Sequence, residues 1–285
     1  MVGFDSAWTA KNSGAIGAVL TGESGDLVEL SQPVEADFCR AMDLIKQWQC
    51  AYHPTLSFIL IDQPTIVRNF TGQREVEAIA CAAIIRRGGC MQPANSKRDS
   101  MFGLNAPIWK FVGCLNARTE MGPPWEGTFL LETYPTMFFI SRGWILPCTK
   151  GVGRLPKYNP LRRKTFSLND WKFVCNKVAE SFDAVHLNGL SGWARWAQEL
   201  KMPRKNDQDR LDACLCLLAA IDLGSGADCL VVGDGMRGCL VVPESQLLRE
   251  ELSQRCRVLG LDSRQWLRVS RVGPVRGLES KGAVI

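Results

Sequence analysis

Residues Leu56–Pro64 read LSFILIDQP, six apolar or small residues followed by an acid and, two positions later, a proline. A run this short and apolar, bounded by a turn signal, is a buried-type strand. Proline has no N–H to give to a sheet ladder, so the strand stops at Asp62 and leaves that carboxylate at its end. The same pattern recurs on either side. Val2-Gly3-Phe4-Asp5 is a short apolar strand that ends in an acid. Thr128 to Leu131 (TFLL) leads into Glu132, and Thr133-Tyr134-Pro135 is the stop. In open α/β sheets, reactive groups collect outside the carboxyl ends of strands. If these strands are parallel neighbours, Asp5, Asp62 and Glu132 converge on one edge.

The remaining elements follow from periodicity. Gly14 to Leu20 is a second apolar run, Thr21 to Gly25 is turn chemistry, and Leu27 to Leu30 resumes a strand, so three antiparallel strands open the chain. Phe38, Met42, Ile45 and Trp48 keep helical spacing within Glu35–Gln49. Further helices are expected over Glu75–Arg87, Ala106–Ala117, Leu168–Phe182, Trp193–Leu200 and Asp207–Leu223, the last closed by Gly224. Cys148 to Thr165 is rich in Gly, Pro, Lys and Arg and reads as a long exposed loop. Cys229–Val232 and Gly238–Val242 form a hairpin around Gly233-Asp234-Gly235. After Glu244 one helix and a basic, Gly-rich end remain. The order βββ-α-β-α-β-α suits a mixed sheet with helices on its faces.

Composition narrows the class. Hydrophobic residues are 46% and charged residues 22% of the 285 residues, the balance of an ordinary globular protein. The net charge of +5 is compatible with a nucleic-acid partner without requiring one. Among the 12 cysteines no C-x-x-C pair occurs, and Cys81, Cys114, Cys175 and Cys239 sit inside apolar stretches. Reduced, buried cysteines are expected, and with them a cytoplasmic location. No signal peptide and no run of about 18 apolar residues is evident, so no membrane span is expected.

Asp209 and Asp212 add two more acids, in DQDRLDACLCLLAA. Their i, i+3 spacing places both on one helix face. Acids at a helix start are also favoured by the dipole, and acids at strand ends are often solvated or capping residues. Asp212, however, abuts the most apolar run of the chain, where a bare acid is costly. Two like charges about 4 Å apart repel by about 4 kcal/mol at an effective dielectric near 20. Converging carboxylates therefore protonate or take up a cation. An all-oxygen set with room for water favours Mg²⁺ or Mn²⁺, and a pair of such ions supports phosphodiester hydrolysis. His53 and His186 are the two histidines, and neither has a partner motif.

The motifs together resemble a known family. Gly3-Phe4-Asp5-Ser6-Ala7 looks like the opening G-x-D-x-A of ribonuclease H-like proteins. Ile61-Asp62-Gln63-Pro64 resembles the I-D-x-P of the predicted-nuclease family called domain of unknown function 429. Glu132 to Pro135 resembles its E-x-Y-P, Asp209 to Ala213 its D-x-x-D-A, and Gly238 to Pro243 its glycine-then-V-V-P hairpin. Arg74 with Glu77 matches an R-x-x-[DE] signature between motifs. The resemblance spans roughly residues 1 to 243 and leaves the cysteine-rich middle and basic tail without counterparts. It implies a ribonuclease H-like mixed five-stranded sheet with helices on both faces, plus a C-terminal hairpin and helix. Insertions are expected around residues 65–125 and 143–205, and a separate C-terminal segment over 244–285. By the same resemblance Asp5, Asp62, Asp209 and Asp212 are metal ligands and Glu132 a fifth catalytic acid.

Basic residues fit a phosphate-binding role. Lys157, Arg162, Arg163 and Lys164 cluster in the long loop, and Lys201, Arg204 and Lys205 precede the acidic helix. Arg74, Lys157, Arg162, Arg163 and Lys205 are the candidate substrate-binding residues. Trp144, Trp193 and Trp196 are candidates for stacking on bases, with Trp193 and Trp196 also at core spacing. The function expected is a metal-dependent nuclease. Two alternatives are a non-catalytic nucleic-acid or nucleotide-binding protein and an ATP-using enzyme of the actin-like or sugar-kinase class. The latter needs a Gly-rich phosphate loop after the first strand, and Asp5-Ser6-Ala7-Trp8 leads into none.

Overall fold

Strand β1 (Val2–Asp5) lies between β2 (Gly14–Thr21), antiparallel to it, and β4 (Leu56–Ile61), parallel to it. Strand β3 (Leu27–Ala36) pairs with β2, and β5 (Gly127–Glu132) runs parallel to β4. The computed structural model describes residues 1–273 apart from Ala7, Glu23 and Lys150. The last residue of the G-x-D-x-A motif, one residue each of the expected turn and long loop, and most of the basic end thus lie outside the described residues.

The sheet has eight strands in the order β3-β2-β1-β4-β5-β7-β6-β8, which corrects the expected five. The hairpin of β6 (Cys229–Asp234) and β7 (Gly238–Pro243) is not an appendage. Its strands are buried almost throughout, and β7 adds to the otherwise open edge of β5 at Glu132↔Leu240. An unpaired edge there would leave a row of buried backbone groups unsatisfied. Beyond residue 243 the chain stays with the same sheet. Helix α9 (Gln246–Val258) packs on α2 (Glu75–Arg86), and β8 (Leu267–Ser270) pairs with β6.

Helices cover both faces. Helix α1 (Phe38–Tyr52) begins later than its periodicity suggests because Asp37 caps it, accepting from the Arg40 N–H at 2.8 Å, while β3 runs on through Ala36. With α4 (Pro107–Leu115) it buries Phe4, Ile59 and Ile61 on one face. The short α3 (Asp99–Phe102) precedes α4. The other face carries the larger core under α2, α5 (Pro135–Ser141), α6 (Leu168–Asp183), α7 (Asn188–Gln198) and α8 (Lys205–Gly224). Helix α8 is apolar all round from Ala213 to Ile221 because sheet and helices enclose it. It crosses β1 at Gly3, where a Cβ would stand 2.2 Å from the Leu217 nitrogen.

Cys81, Cys175 and Cys239 are buried as expected, whereas Cys114 is exposed on α4. Trp144 and Trp193 are core residues rather than stacking platforms, and Trp196 is exposed. No helix among the described residues is long and apolar enough to cross a membrane.

Candidate functional site

The register of β1, β4 and β5 brings their acids to one edge of the sheet. Phe4 lies beside Ile61, and Ile61 beside Glu132. The ladder continues one step past β4, since the Asp62 N–H donates to the Phe4 carbonyl at 3.1 Å. Asp5 and Asp62 are thus side by side. Side chains alternate across the pleat, so these two fall on the face that carries α8. Glu132, one step behind in register, falls on the opposite face. Helix α8 brings Asp212 to the same place, because Gly3 lets its backbone descend onto β1.

Burial and mutual repulsion set the electrostatics. Desolvation holds the Asp62 carboxyl well above the usual carboxylate range, and the nearby Asp5, Asp212 and Glu132 push it further. Desolvation and Asp5 also push Asp212 up to about 7, against opposing effects of Tyr158, Lys205 and Gln208. One oxygen of Asp62, Oδ1, is buried with no hydrogen-bond partner among the described residues. Such an atom is costly unless a proton or cation meets it. Asp212 is better served. Tyr158 donates its hydroxyl to Oδ1 at 2.6 Å, and Gln208 donates its amide to Oδ2 at 2.8 Å.

Other expected site residues are placed differently. Asp209 is buried, but its carboxylate pairs with Lys205 one turn earlier on α8. Lys205 thus serves as a counter-ion to Asp209 in this structure. Arg74, 2% exposed, is not a substrate-binding residue. Its guanidinium donates to both oxygens of Glu132 at 2.8 and 2.7 Å, to Glu77 at 2.8 Å and to the Ile66 carbonyl at 3.0 Å. In this buried triad one guanidinium serves two carboxylates, so the cationic partner of Glu132 comes from within the protein. Among the described residues no group of three or more His, Cys, Asp or Glu side chains is arranged so that it could hold a metal ion.

A cleft of about 420 Å³ opens onto Asp62 and Asp212. Its walls include Tyr134 and Tyr158, and the basic residues that reach it are Lys157 and Arg162. Arg163 is exposed on the same loop and does not line the cleft. A larger cavity, about 530 Å³, lies at the opposite ends of β1 and β4 beside Met1, Trp48 and Tyr52, and no acid lines it. Tyr134, Tyr158 and Gln208 went unnoticed in the sequence reading. Two signals were available. Gln208 precedes Asp212 by four residues on a helix, and two of the chain's three tyrosines line this cleft.

Fold and cleft define an α/β protein with buried carboxylates at the carboxyl edge of its sheet. No family model matches the chain, and neither a curated protein nor a solved structure matches it.

Proposed function

We propose that the protein is a divalent-metal-dependent phosphodiester hydrolase of the ribonuclease H-like class, acting on DNA or RNA. The observation that carries this reading is the buried Asp62 Oδ1, without a hydrogen-bond partner among the described residues, at a cleft shared with Asp212 and edged by Lys157 and Arg162. The fold assignment is supported by the chain order: three antiparallel strands, then a helix, then two further strands parallel to the first, with β1, β4 and β5 each ending at an acid. The motif order that resembles the domain of unknown function 429 family points the same way.

The residues fit such an ion in kind. Asp5, Asp62 and Asp212 offer only oxygen, the donor type that Mg²⁺ and Mn²⁺ prefer, and the raised proton affinity of Asp62 and Asp212 marks a shortage of positive charge. When bound, the ion supplies Lewis-acid stabilisation of charge on the phosphoryl oxygens and lowers the pKa of water. The chain supplies the rest. Lys157 and Arg162 attract and orient the phosphodiester at the cleft. Tyr158 and Gln208 hold the Asp212 carboxylate in one orientation. Burial of the acids excludes bulk water and strengthens every charge interaction. In the net reaction water bonds to phosphorus, one ester P–O bond breaks, and the departing oxygen takes a proton. The reduced cysteines suit a cytoplasmic setting.

A second reading, a non-catalytic nucleotide-binding protein, draws on the internal pairing of Asp209 with Lys205 and of Asp212 with Tyr158 and Gln208. The deciding experiment is hydrolysis of bis(4-nitrophenyl) phosphate and of mixed DNA and RNA, with Mn²⁺ or chelator, by wild type and Asp62→Asn. Metal-dependent turnover lost in the variant establishes the hydrolase. Nucleotide binding without turnover by either protein establishes the second reading.

A further inference from the structure

Asp62 and Asp212 line a cleft that is only partly open to solvent. Asp5 and Asp212 are each 4% exposed, and the cleft leading to Asp62 and Asp212 holds about 420 Å³. That volume lies near the lower end of small-molecule sites, which run from about 300 to 1,000 Å³. Its two walls are joined to each other. The segment after α2 meets the long loop at three points: the Leu155 N–H donates to the Arg87 carbonyl at 3.0 Å, the Lys157 ammonium donates to the Gly88 carbonyl, and Arg162 contacts the Cys90 sulfur at 3.7 Å. Widening the cleft would break contacts made by the same two cations that face the ligand. These contacts link the two walls across the cleft.

Tyr158 is held from two directions, by its hydroxyl on Asp212 and by an edge-on contact with Phe139 at 5.4 Å between ring centroids. Tyr134 is tied by its hydroxyl to the Cys90 carbonyl at 3.0 Å. Aromatic walls of this kind accept any base by stacking and read none by hydrogen bonding. A B-form duplex, whose major groove alone is about 12 Å wide, brings its backbone to a surface and not into such a pocket.

We infer that the cleft admits one nucleotide unit at a time, so that the protein acts on the end of an unpaired strand and not on the interior of a duplex. This inference rests on the hydrolase reading and specifies its substrate.

The test uses the full chain with Mn²⁺ and four DNA probes: an end-labelled single-stranded oligonucleotide, the same oligonucleotide as a blunt duplex, a covalently closed single-stranded circle, and a free mononucleotide as competitor. Bis(4-nitrophenyl) phosphate, small enough for any open site, is assayed in parallel. The linear single strand is expected to shorten stepwise with release of mononucleotide. The duplex should react at least about tenfold more slowly, because each end must first be unpaired. The circle should resist, and added mononucleotide should inhibit competitively. Internal cleavage of the circle, or equal rates on duplex and single strand, would overturn the inference while turnover of the small diester left the hydrolase standing. Absence of turnover on every diester would instead sink the hydrolase reading, and the inference with it.

Discussion

Gly3 and Ala213 meet backbone to backbone: a Cβ built on Gly3 would stand 2.3 Å from the Ala213 carbonyl oxygen. This contact lowers α8 onto β1 and sets Asp212, the neighbour of Ala213, beside Asp5, two residues on from Gly3. No flexible side chain is available to give way. Gly3→Ala should therefore destabilise the fold by about 3 kcal/mol, the upper part of the usual range for overpacking. It should also lose activity beyond that explained by unfolding, because the acids are pushed apart. Thermal melts and assays at a temperature where the variant is folded check both, and an unchanged melting temperature would refute the close approach.

Asp212 carries the clearest pH dependence. Its carboxyl is pushed up to about 7 from its ordinary value of 3.8. Over that interval the folded protein keeps a proton that the unfolded chain releases, so this group's contribution to stability is lost as pH rises. Asp212→Asn should match wild type near pH 4 and, in metal-free buffer at pH 8, exceed it by about 2 kcal/mol or about 5 °C, after allowance for one weakened hydrogen bond. A variant less stable than wild type at pH 8 would show that the carboxylate is a structural group.

The buried Arg74 triad should behave oppositely. Arg74→Met strands Glu77 and Glu132 without their cation, and both are almost fully buried. Breaking such a pair by removing one partner costs about 3–5 kcal/mol. Arg74→Lys should recover only part of this, since an ammonium cannot make the paired contacts to Glu132. Denaturant titration of the three proteins gives the order directly.

Tyr158→Phe removes the hydroxyl that Asp212 accepts at 2.6 Å. Loss of a hydrogen bond to a charged group costs about 1.5–3 kcal/mol. Because that bond opposes the upward shift of Asp212, the variant's acid should titrate higher still. Metal binding would then begin at a higher pH than in wild type, as calorimetry at stepped pH would show.

The three acid-ended strands were legible because a short apolar run stopped by Pro or a turn is a local signal, and Asp5, Asp62 and Glu132 stand where such runs end. Their roles were not legible. The pleat separates Glu132 from the other two, and its partner Arg74 lies 58 residues away in sequence. Tyr158 reaches Asp212 across 54 residues from a loop with no periodicity to read. By contrast, Lys205 with Asp209 and Gln208 with Asp212 are i, i+4 pairs that helical spacing alone brings together. Strand β8 escaped notice because its four residues, LRVS, are too few to establish alternation, and pairing with β6 makes them a strand.

The proposed function turns on whether Asp62, whose buried Oδ1 has no hydrogen-bond partner among the described residues, takes up a divalent cation. Calorimetric titration of Mn²⁺ into wild type and Asp62→Asn tests it most directly. Saturable binding to the wild type that is abolished in a folded Asp62→Asn variant is the predicted result. No binding to the wild type, or equal binding to both proteins, would contradict it.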